Sequence, residues 1–143
     1  MTIGLISSDK YKNYLKEIQK KITNLNHKCF ILNASSDMVE NCELLVRNIQ
    51  KGKVERGIAI DDYGIMPFMY IAKTPKIIVA QIADEHSAHM TCAHNNATVL
   101  SFGGEISTLH QIQNMIMAFI NSKYEGGRHK VRIDMLNTLT EGQ

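Results

Sequence analysis

The 143-residue chain has no tryptophan, only two prolines and three cysteines, and no long apolar segment. Three cysteines without a Cys-x-x-Cys pair argue against a disulfide framework, so we expect the cytosol as the compartment. No segment approaches the ~20 apolar residues of a membrane-spanning helix. Residues 1–6 also lack the basic region and cleavage site of a signal peptide. The sequence therefore predicts a cytoplasmic protein without membrane association.

Neither sign of charge dominates, because 16 Lys and Arg stand against 14 Asp and Glu and give a formal net charge of +2. There is no basic stripe and no interleaving of aromatic with basic residues, which argues against nucleic-acid binding. The sequence also lacks GxGxxG and GxxxxGK[ST], the phosphate-binding motifs of dinucleotide and P-loop proteins. The length predicts one domain, residues 1–143, large enough to bury a hydrophobic core.

Strand-like and helix-like segments alternate along the chain. Short apolar runs predict buried strands at residues 2–6, 28–32, 57–60, 77–81 and 98–102. Helical patterns lie between and after them, at residues 11–25, 38–50, 68–73, 84–94 and 106–122. Ser7 or Ser8 is expected to cap the first helix and Asp84 the fourth. This alternation predicts a three-layer α/β fold, with a five-stranded parallel sheet covered by helices on both faces.

A C-terminal tail, residues 128–139, follows Gly126 and Gly127 and carries an apolar stripe at helical spacing. The stripe consists of Val131, Met135 and Leu139. An amphipathic helix beyond the last sheet unit has to bury its apolar face somewhere. We expect it to pack on a partner subunit, with packing on its own domain as the alternative.

The most informative segment, Asp61-Asp62-Tyr63-Gly64, directly follows the third predicted strand. The carboxyl ends of parallel strands share one edge of the sheet, where ligands bind in α/β proteins. Ser8, Asp9, Gly103 and Gly104 follow other strands and fall on the same edge. This edge predicts a polar cleft for a small hydroxylated or phosphorylated ligand. The aspartates have three open roles: proton transfer, hydrogen bonding to a sugar hydroxyl, or capping of the next helix.

His94 and Asn95 close the fourth predicted helix. That helix starts at the functional edge, and ten helical residues carry His94 about 15 Å away from it. His94 therefore cannot easily serve the cleft of its own subunit. Two interpretations stay open: His94 caps the helix, or it is a general acid or base that reaches the cleft of a neighbouring subunit.

Two further groups have chemical potential. His86, His89 and Cys92 share one helix, but positions i, i+3 and i+6 drift around its axis, so we expect no metal site there. Arg128 and Arg132 stand four residues apart in the tail, where they form either a solvated face or a bidentate phosphate clamp.

Three long segments carry a family resemblance. They read Asp61-x-Tyr63-Gly64-x-x-Pro67-Phe68-Met69, Asp84-Glu85-x-Ser87-Ala88-x-Met90-Thr91 with His94-Asn95-Asn96, and Lys123-Tyr124-x-Gly126-Gly127-Arg128-His129-x-Val131-Arg132-x-Asp134-Met135-Leu136-Asn137. Over nearly its whole length the chain resembles the family of type B ribose-5-phosphate isomerases and galactose-6-phosphate isomerases. The resemblance implies a Rossmann-like fold, no cofactor, and sites formed between two subunits. It also implies aldose–ketose isomerisation of a sugar phosphate through a cis-enediolate.

The resemblance assigns roles to residues of this chain. His94 would be the ring-opening acid and base, and Asn95 would help to hold the enediolate. Arg128 and Arg132 would hold the substrate phosphate. Further substrate-binding residues are expected at the carboxyl edge, namely Asp9, Asp61, Tyr63 and Gly64.

Departures from the family pattern concern the base. Asp61 occupies the position of the catalytic cysteine, and none of the three cysteines of the chain falls there. Glu105 stands where many relatives have an arginine. These losses match the A-subunit pattern of a hetero-oligomeric galactose-6-phosphate isomerase, in which a B subunit supplies the thiolate. Two alternatives stay open: a self-sufficient, homodimeric isomerase of another phosphosugar with Asp61 or Asp62 as base, and a non-catalytic sugar-phosphate-binding homologue.

Overall fold

The computed structural model describes residues 1–141. Within that range five strands and six helices alternate, and a short 3-10 turn, Asp9–Tyr11, leads into the first helix. The strands are β1 (Thr2–Ser7), β2 (Lys28–Ile31), β3 (Arg56–Asp61), β4 (Val79–Gln81) and β5 (Val99–Gly103). The helices are α1 (Lys12–Asn24), α2 (Met38–Gln50), α3 (Ile65–Ile71), α4 (Glu85–Asn95), α5 (Leu109–Ile120) and α6 (Arg128–Thr140). The predicted alternation of elements is confirmed.

The strands form one parallel sheet in the order β2-β1-β3-β5-β4. Its two faces bury separate clusters of apolar side chains. Helices α1, α4 and α5 cover one face, and α2 and α3 cover the other. Successive residues of β3 point to opposite faces, because Ile58 and Ile60 join the first cluster and Ala59 joins the second. The predicted three-layer architecture is confirmed. Within residues 1–141, none of the helices combines the length and the apolar character that a membrane crossing requires.

Two strand glycines let α2 approach the sheet closely. A Cβ atom added at Gly57 would lie 2.9 Å from a Leu45 side-chain carbon, and one at Gly4 would lie 3.0 Å from another carbon of Leu45. Leu45 is fully buried, so it fills the space that the absent side chains leave over β1 and β3. The glycines therefore set how near α2 lies to the two central strands.

Several boundaries differ from the sequence prediction for local reasons. Helix α3 begins at Ile65 rather than at residue 68, because Gly64 adopts the left-handed conformation and Pro67 falls in the first turn, where its missing N–H costs nothing. Helix α5 begins at Leu109 rather than at residue 106, because Thr108 and Gln111 form a capping box. Ile106 therefore lies before the helix and is exposed rather than buried.

The two predicted helix caps have different outcomes. Asp84 caps α4 as predicted, since its carboxylate accepts a hydrogen bond from the Ser87 backbone N–H at 2.7 Å. The predicted cap by Ser7 or Ser8 is wrong. The Ser7 hydroxyl donates to the Ser8 carbonyl, and Ser8 precedes the 3-10 turn without a side-chain cap. The intervening turn moves the start of α1 to Lys12, beyond the reach of either hydroxyl.

Helix α6 packs on α4 through a narrow face that contains His129 and Ile133. The predicted apolar stripe points elsewhere: Val131, Met135 and Leu139 are 62%, 64% and 74% exposed. The tail is thus a helix, as predicted, and the part of it that its own domain buries is not the apolar stripe.

We expect Gly57→Ala to destabilise the fold, because the new Cβ would overlap the side chain of Leu45. Overpacking of this kind costs about 1–3 kcal/mol of the free energy of unfolding. Denaturant unfolding of Gly57→Ala, Leu45→Ala and the double variant measures the coupling between the two sites. The loss of unfolding free energy caused by Gly57→Ala should be smaller when Leu45 is replaced by alanine. An equal loss with Leu45 and with Ala at position 45 would contradict the close approach of α2.

Candidate active site

The carboxyl ends of β1 and β3 meet at the point where the chain reverses direction across the sheet. From β1 the chain moves outward to β2 and then crosses back to β3 on the other side. In open parallel sheets such a reversal leaves a crevice that binds ligands. The loops after β1 and β3 place Asp9, Asp61, Tyr63 and Gly64 at the carboxyl edge of the sheet. Asp61 and Tyr63 line one cavity there together with residues of α3, and Asp9 forms an ion pair with Lys12.

Asp61 combines partial burial with hydrogen bonds from the backbone. Its Oδ1 atom accepts from the N–H groups of Tyr63 and Gly64, which shapes the turn into α3. Burial raises the pKa of the Asp61 carboxyl above its ordinary value, and the nearby charge of Asp62 adds to the shift, while the two backbone N–H groups oppose it. Of the three roles that the sequence left open, this arrangement corresponds most closely to capping, because Oδ1 binds the backbone N–H groups that precede α3. The Oδ2 atom accepts no hydrogen bond among residues 1–141.

Backbone contacts fix the loop after β3 against the loop after β5. Gly64 has φ +73°, and a Cβ atom there would lie 2.8 Å from the carbonyl carbon of Phe102. The hydroxyl of buried Ser101 donates to the Gly64 carbonyl at 2.7 Å. The Tyr63 side chain stays 56% exposed beside these rigid groups. The crevice therefore has a fixed backbone floor and an exposed phenol at its rim.

A polar network joins three loops of the carboxyl edge. The Tyr11 hydroxyl lies 2.9 Å from a Glu105 oxygen and 3.2 Å from an Asp62 oxygen. The Lys10 ammonium binds Glu105 and lies 3.8 Å from Asp62. Lys10, followed by the Tyr11 hydroxyl, lowers the pKa of Glu105, and burial followed by these carboxylates raises the pKa of Tyr11. The Lys10 ammonium is thus already engaged by carboxylates of the same chain.

Among the described residues, no exposed cysteine lies at this edge. Cys29, Cys42 and Cys92 are buried in β2, α2 and α4. Burial raises the pKa of the Cys29 and Cys42 thiols to about 12 and also raises the pKa of Cys92. At neutral pH these thiols are protonated and enclosed, so none of them is suited to act as a thiolate base.

A second group of chemically active side chains forms where α4 ends. The rings of His94 and His129 stack with centroids 4.0 Å apart and planes inclined by 10°. A Glu125 oxygen lies 3.7 Å from Nε2 of His94 and 3.6 Å from Nε2 of His129. Burial lowers the pKa of His129, the neighbouring His94 and Arg128 act in the same direction, and the carboxylate of Glu125 opposes them.

The backbone holds this group in place. The Glu125 N–H donates to the Ala93 carbonyl at 3.0 Å, which ties the segment before α6 to the last turn of α4. Gly126 and Gly127 then reverse the chain with positive φ angles, and His129 enters the first turn of α6. His94 is therefore not a helix cap: Asn96, in the left-handed conformation, closes α4.

Arg128 and Arg132 lie one turn apart on the exposed surface of α6. Among residues 1–141 neither guanidinium is within 4.0 Å of a carboxylate oxygen. Lys130 between them pairs with Asp134 on the same helix. The two arginines thus present positive charge that is not neutralised within the described chain, and Asn95 is likewise exposed next to His94.

The two groups of predicted residues lie on opposite edges of the sheet. Arg56, the first residue of β3, donates to the Ser122 carbonyl and contacts Cys92 Sγ, which places the end of α4 beside the amino edge. Helix α4 has 11 residues, a length of about 16 Å. The geometry of one chain therefore keeps His94 away from its own crevice, as the sequence argument predicted.

Sequence reasoning considered a different set of metal ligands and missed the cluster of His94, Glu125 and His129. The set considered from the sequence was His86, His89 and Cys92. In the structure His89 Nδ1 lies 2.6 Å from the Ser122 hydroxyl and Cys92 contacts Arg56, so both have other partners. The three ligand atoms of the new cluster lie within 4.8 Å of one another. The spacing of Glu125 and His129, four residues apart, was the available signal, but His94 joins them only through the packing of α4 on α6.

Comparison with known proteins decides the family. Residues 3–136 match the model of a family described as Ribose/Galactose Isomerase. The chain belongs to this family. It is 38% identical over 128 residues to galactose-6-phosphate isomerase subunit LacA 2 of Streptococcus pyogenes serotype M1, covering 90% of this chain and 87% of that protein. It is 37% identical over 138 residues to subunit LacA of Streptococcus mutans serotype c, covering 94% and 97%. The predicted family and the predicted similarity to the A subunit are confirmed.

Solved structures share the fold. Ribose-5-phosphate isomerase B from Mycoplasma genitalium, solved with bound ribulose 5-phosphate, has a TM-score of 0.92 at 22% identity and covers 99% of this chain and 97% of its own. The type B enzyme from Trypanosoma cruzi has a TM-score of 0.93 at 16% identity, with both chains fully covered. The predicted Rossmann-like architecture is therefore confirmed by proteins of low sequence identity.

Proposed function

We propose that the chain is the A-type subunit of a cytoplasmic galactose-6-phosphate isomerase, which interconverts D-galactose 6-phosphate and D-tagatose 6-phosphate. A B subunit would complete the site and supply the thiolate base. One observation carries the proposal: the His94 group and the carboxyl-edge crevice lie on opposite edges of the sheet, and among residues 1–141 no exposed cysteine lies at the crevice. The family and the names of the relatives support this choice of substrate and partner.

His94 would act on the closed sugar ring. Its imidazole would take the proton from the anomeric hydroxyl and return a proton to the ring oxygen as the C1–O5 bond breaks. Such transfers need a group with a pKa near neutrality, which imidazole has. His94 is partly exposed, so a substrate bound across a subunit interface can reach it. Asn95 would then donate a hydrogen bond to an oxygen of the enediolate and stabilise its developing charge.

Proton transfer between C1 and C2 would use the partner. The base removes the C2 proton of the open-chain aldose to give the enediolate, and reprotonation at C1 gives the ketose. The buried thiols of this chain cannot supply that base. Asp61, the last residue of β3, occupies the position at which related enzymes would carry the catalytic cysteine. The B subunit would face the His94 group with its own carboxyl edge.

Arg128 and Arg132 would hold the phosphate. They lie on the same side of the molecule as His94, because His129, which stacks on His94, stands beside Arg128. A phosphate dianion binds well to two guanidinium groups whose charge is otherwise unpaired. At the opposite edge, Asp9, Asp61, Tyr63 and Gly64 would contact sugar hydroxyls in the cleft that faces the partner.

The exposed stripe of α6 suggests where the partner packs. Val131, Met135 and Leu139 present apolar surface next to the two arginines, and such a surface is typical of a protein interface. We propose that it packs against the B subunit, and against a second copy of the chain in a homodimer when the chain is isolated. A single contact region would then both bury the stripe and bring the arginines to the substrate.

One alternative has an observation in its favour. The raised pKa of Asp61 and its free oxygen at the crevice are features of a carboxylate base, which would make a homodimer a self-sufficient isomerase of another phosphosugar. Against it stands the engagement of the Lys10 ammonium at that edge, which already binds Glu105. A non-catalytic sugar-phosphate-binding homologue is the third outcome that the following experiment separates.

We expect the purified chain alone to show little or no isomerase activity with galactose 6-phosphate, and to gain turnover when a cysteine-bearing B subunit is added. The assay measures tagatose 6-phosphate formation by each protein alone and by the mixture, with ribose 5-phosphate as a second substrate. Robust turnover by the chain alone would overturn the two-subunit proposal in favour of Asp61 or Asp62 as base. Binding without turnover in every combination would indicate the non-catalytic homologue.

His94→Ala in the active assembly should lower kcat by about 10²–10⁴-fold, the usual loss of one general acid or base. His110→Ala is the matched control, because His110 is an exposed histidine on α5 whose ring contacts only Asn114 among the hydrogen bonds of the described chain. Size-exclusion chromatography checks that assembly persists. An unchanged kcat for His94→Ala would remove His94 from the chemistry.

Arg128→Ala and Arg132→Ala should each raise KM more than they lower kcat, because a phosphate remote from C1 and C2 is held equally in the ground and transition states. Loss of one charge-assisted contact costs about 1.5–3 kcal/mol, more than tenfold in affinity. Lys130→Ala is the control, since Lys130 is paired with Asp134 on the same helix. Inhibition by inorganic phosphate that is equal in wild type and both arginine variants would exclude the clamp.

Val131→Asp separates assembly from phosphate binding in the same series. A carboxylate in the exposed stripe should lower the oligomeric mass, whereas the arginine variants should leave that mass unchanged. If Val131→Asp assembles normally, the stripe is not the interface.

A further inference from the structure

We propose that His94, Glu125 and His129 form a binding site for a divalent transition-metal ion of the zinc type. The site rests on one imidazole from the last turn of α4, one carboxylate from the segment before α6, and one imidazole from the first turn of α6. Their three ligand atoms lie within 4.8 Å of one another, and no other group of three or more such side chains among residues 1–141 meets that criterion.

The separations are close to those that a metal ion requires. Bonds of 2.0–2.1 Å in a tetrahedral site place neighbouring ligand atoms about 3.3 Å apart. The Glu125 oxygen already lies 3.6 Å from one Nε2 atom and 3.7 Å from the other, so it has to move by only a few tenths of an ångström. The two histidines have to approach each other somewhat more.

The stacked rings show which side chain moves. An imidazole binds a metal ion along the lone pair of its nitrogen, in the plane of the ring. Two parallel rings 4.0 Å apart cannot both direct their lone pairs at one ion. The side chain of His94 is 31% exposed and that of His129 only 10%, so His94 is free to rotate while His129 stays fixed by packing. Metal binding would therefore break the stack by turning His94 toward Glu125.

The donor set selects the class of ion. Two imidazoles and one carboxylate suit zinc, cobalt and nickel, whereas calcium and magnesium prefer oxygen ligands. Three protein ligands leave a fourth position open for water or another small ligand, as in catalytic zinc sites. The site thus suits a first-row transition metal bound reversibly, because its Glu125 side chain is 56% exposed.

The local charges act in both directions. Arg128 adjoins His129, and its positive charge disfavours a cation there. The carboxylate of Glu125 and the carbonyl end of α4 favour a cation. The carboxylate is a direct ligand and touches the ion, while Arg128 points into solvent on the surface of α6. The net electrostatic effect on a bound cation is therefore favourable, because the nearer charge is that of Glu125. Coulomb energy falls with distance and is screened in water.

The consequence for activity rests on the proposed function. If His94 moves the proton in ring opening, a metal ion on its Nε2 would occupy the lone pair that the reaction needs. Zinc would then inhibit the assembly reversibly at a residue of the A-type chain, and a chelator would restore turnover. The metal site itself does not depend on that role, because it requires only the three side chains.

Binding is tested on the full chain without any substrate. Titration with Co²⁺ followed by visible absorption, and with Zn²⁺ followed by calorimetry, should show one ion bound per chain. His94→Asn, Glu125→Gln and His129→Asn should each weaken binding by at least about tenfold, because each removes one of three ligands. His110→Asn is the matched control and should bind as the wild type does.

Circular dichroism confirms that each variant is folded, and Glu125→Gln, at an exposed position with unchanged shape, keeps the test valid if a histidine variant unfolds. No binding by the wild-type chain would overturn the proposal, and so would binding that Glu125→Gln and His94→Asn leave unchanged. Zinc inhibition of the active assembly is then measured with and without a chelator. Metal binding without inhibition would keep the site and contradict the role of His94, so the two proposals fail separately.

Discussion

All five strands run in the same direction, so each connecting helix has to carry the chain from the carboxyl edge of the sheet back to the amino edge. Helix α4 does this in 11 residues. It therefore starts at the carboxyl edge, with Asp84 as its cap, and delivers His94 to the opposite edge. Helix α5 packs beside it in the same direction, and α6 packs against α4. The separation of the two reactive groups is a consequence of strand polarity, and a site that uses both types of group requires two subunits.

The two edges differ in charge as well as in place. The carboxyl edge collects Asp9, Asp61, Asp62 and Glu105, where Lys10 binds Glu105 and Asp62 and Lys12 binds Asp9. The α6 side presents Arg128 and Arg132 without a carboxylate partner in the described part of the chain. A phosphorylated sugar would thus find its anion-binding groups on α6 and hydroxyl-binding groups at a crevice. Two facing subunits would bring the α6 side of one chain against the carboxyl edge of the other.

The contact of His94 with Glu125 and His129 would give one cluster two chemical uses. An imidazole beside a carboxylate is suited to proton transfer, and the same three side chains have the donor atoms of a transition-metal site. The hydrogen bond from the Glu125 N–H to the Ala93 carbonyl holds the segment before α6 against α4 and so keeps the three side chains together. Proton transfer and metal binding would compete for the same lone pair of His94.

The order and type of the elements follow from the sequence, because apolar periodicity and cap residues such as Asp84 act over a few neighbouring residues. The separation of His94 from its own crevice also follows from it, since helix rise and strand polarity are local rules. The sequence misplaced the starts of α3 and α5, where Gly64 is held by its contact with Phe102 and the capping box at Thr108 excludes Ile106. Only the tertiary structure decided that Tyr11 and Lys10 meet Glu105, that His129 stacks on His94, and that α6 buries Ile133 rather than Val131. Each of these contacts joins residues distant in the chain, and their pairing depends on how helices pack over the sheet rather than on any local pattern.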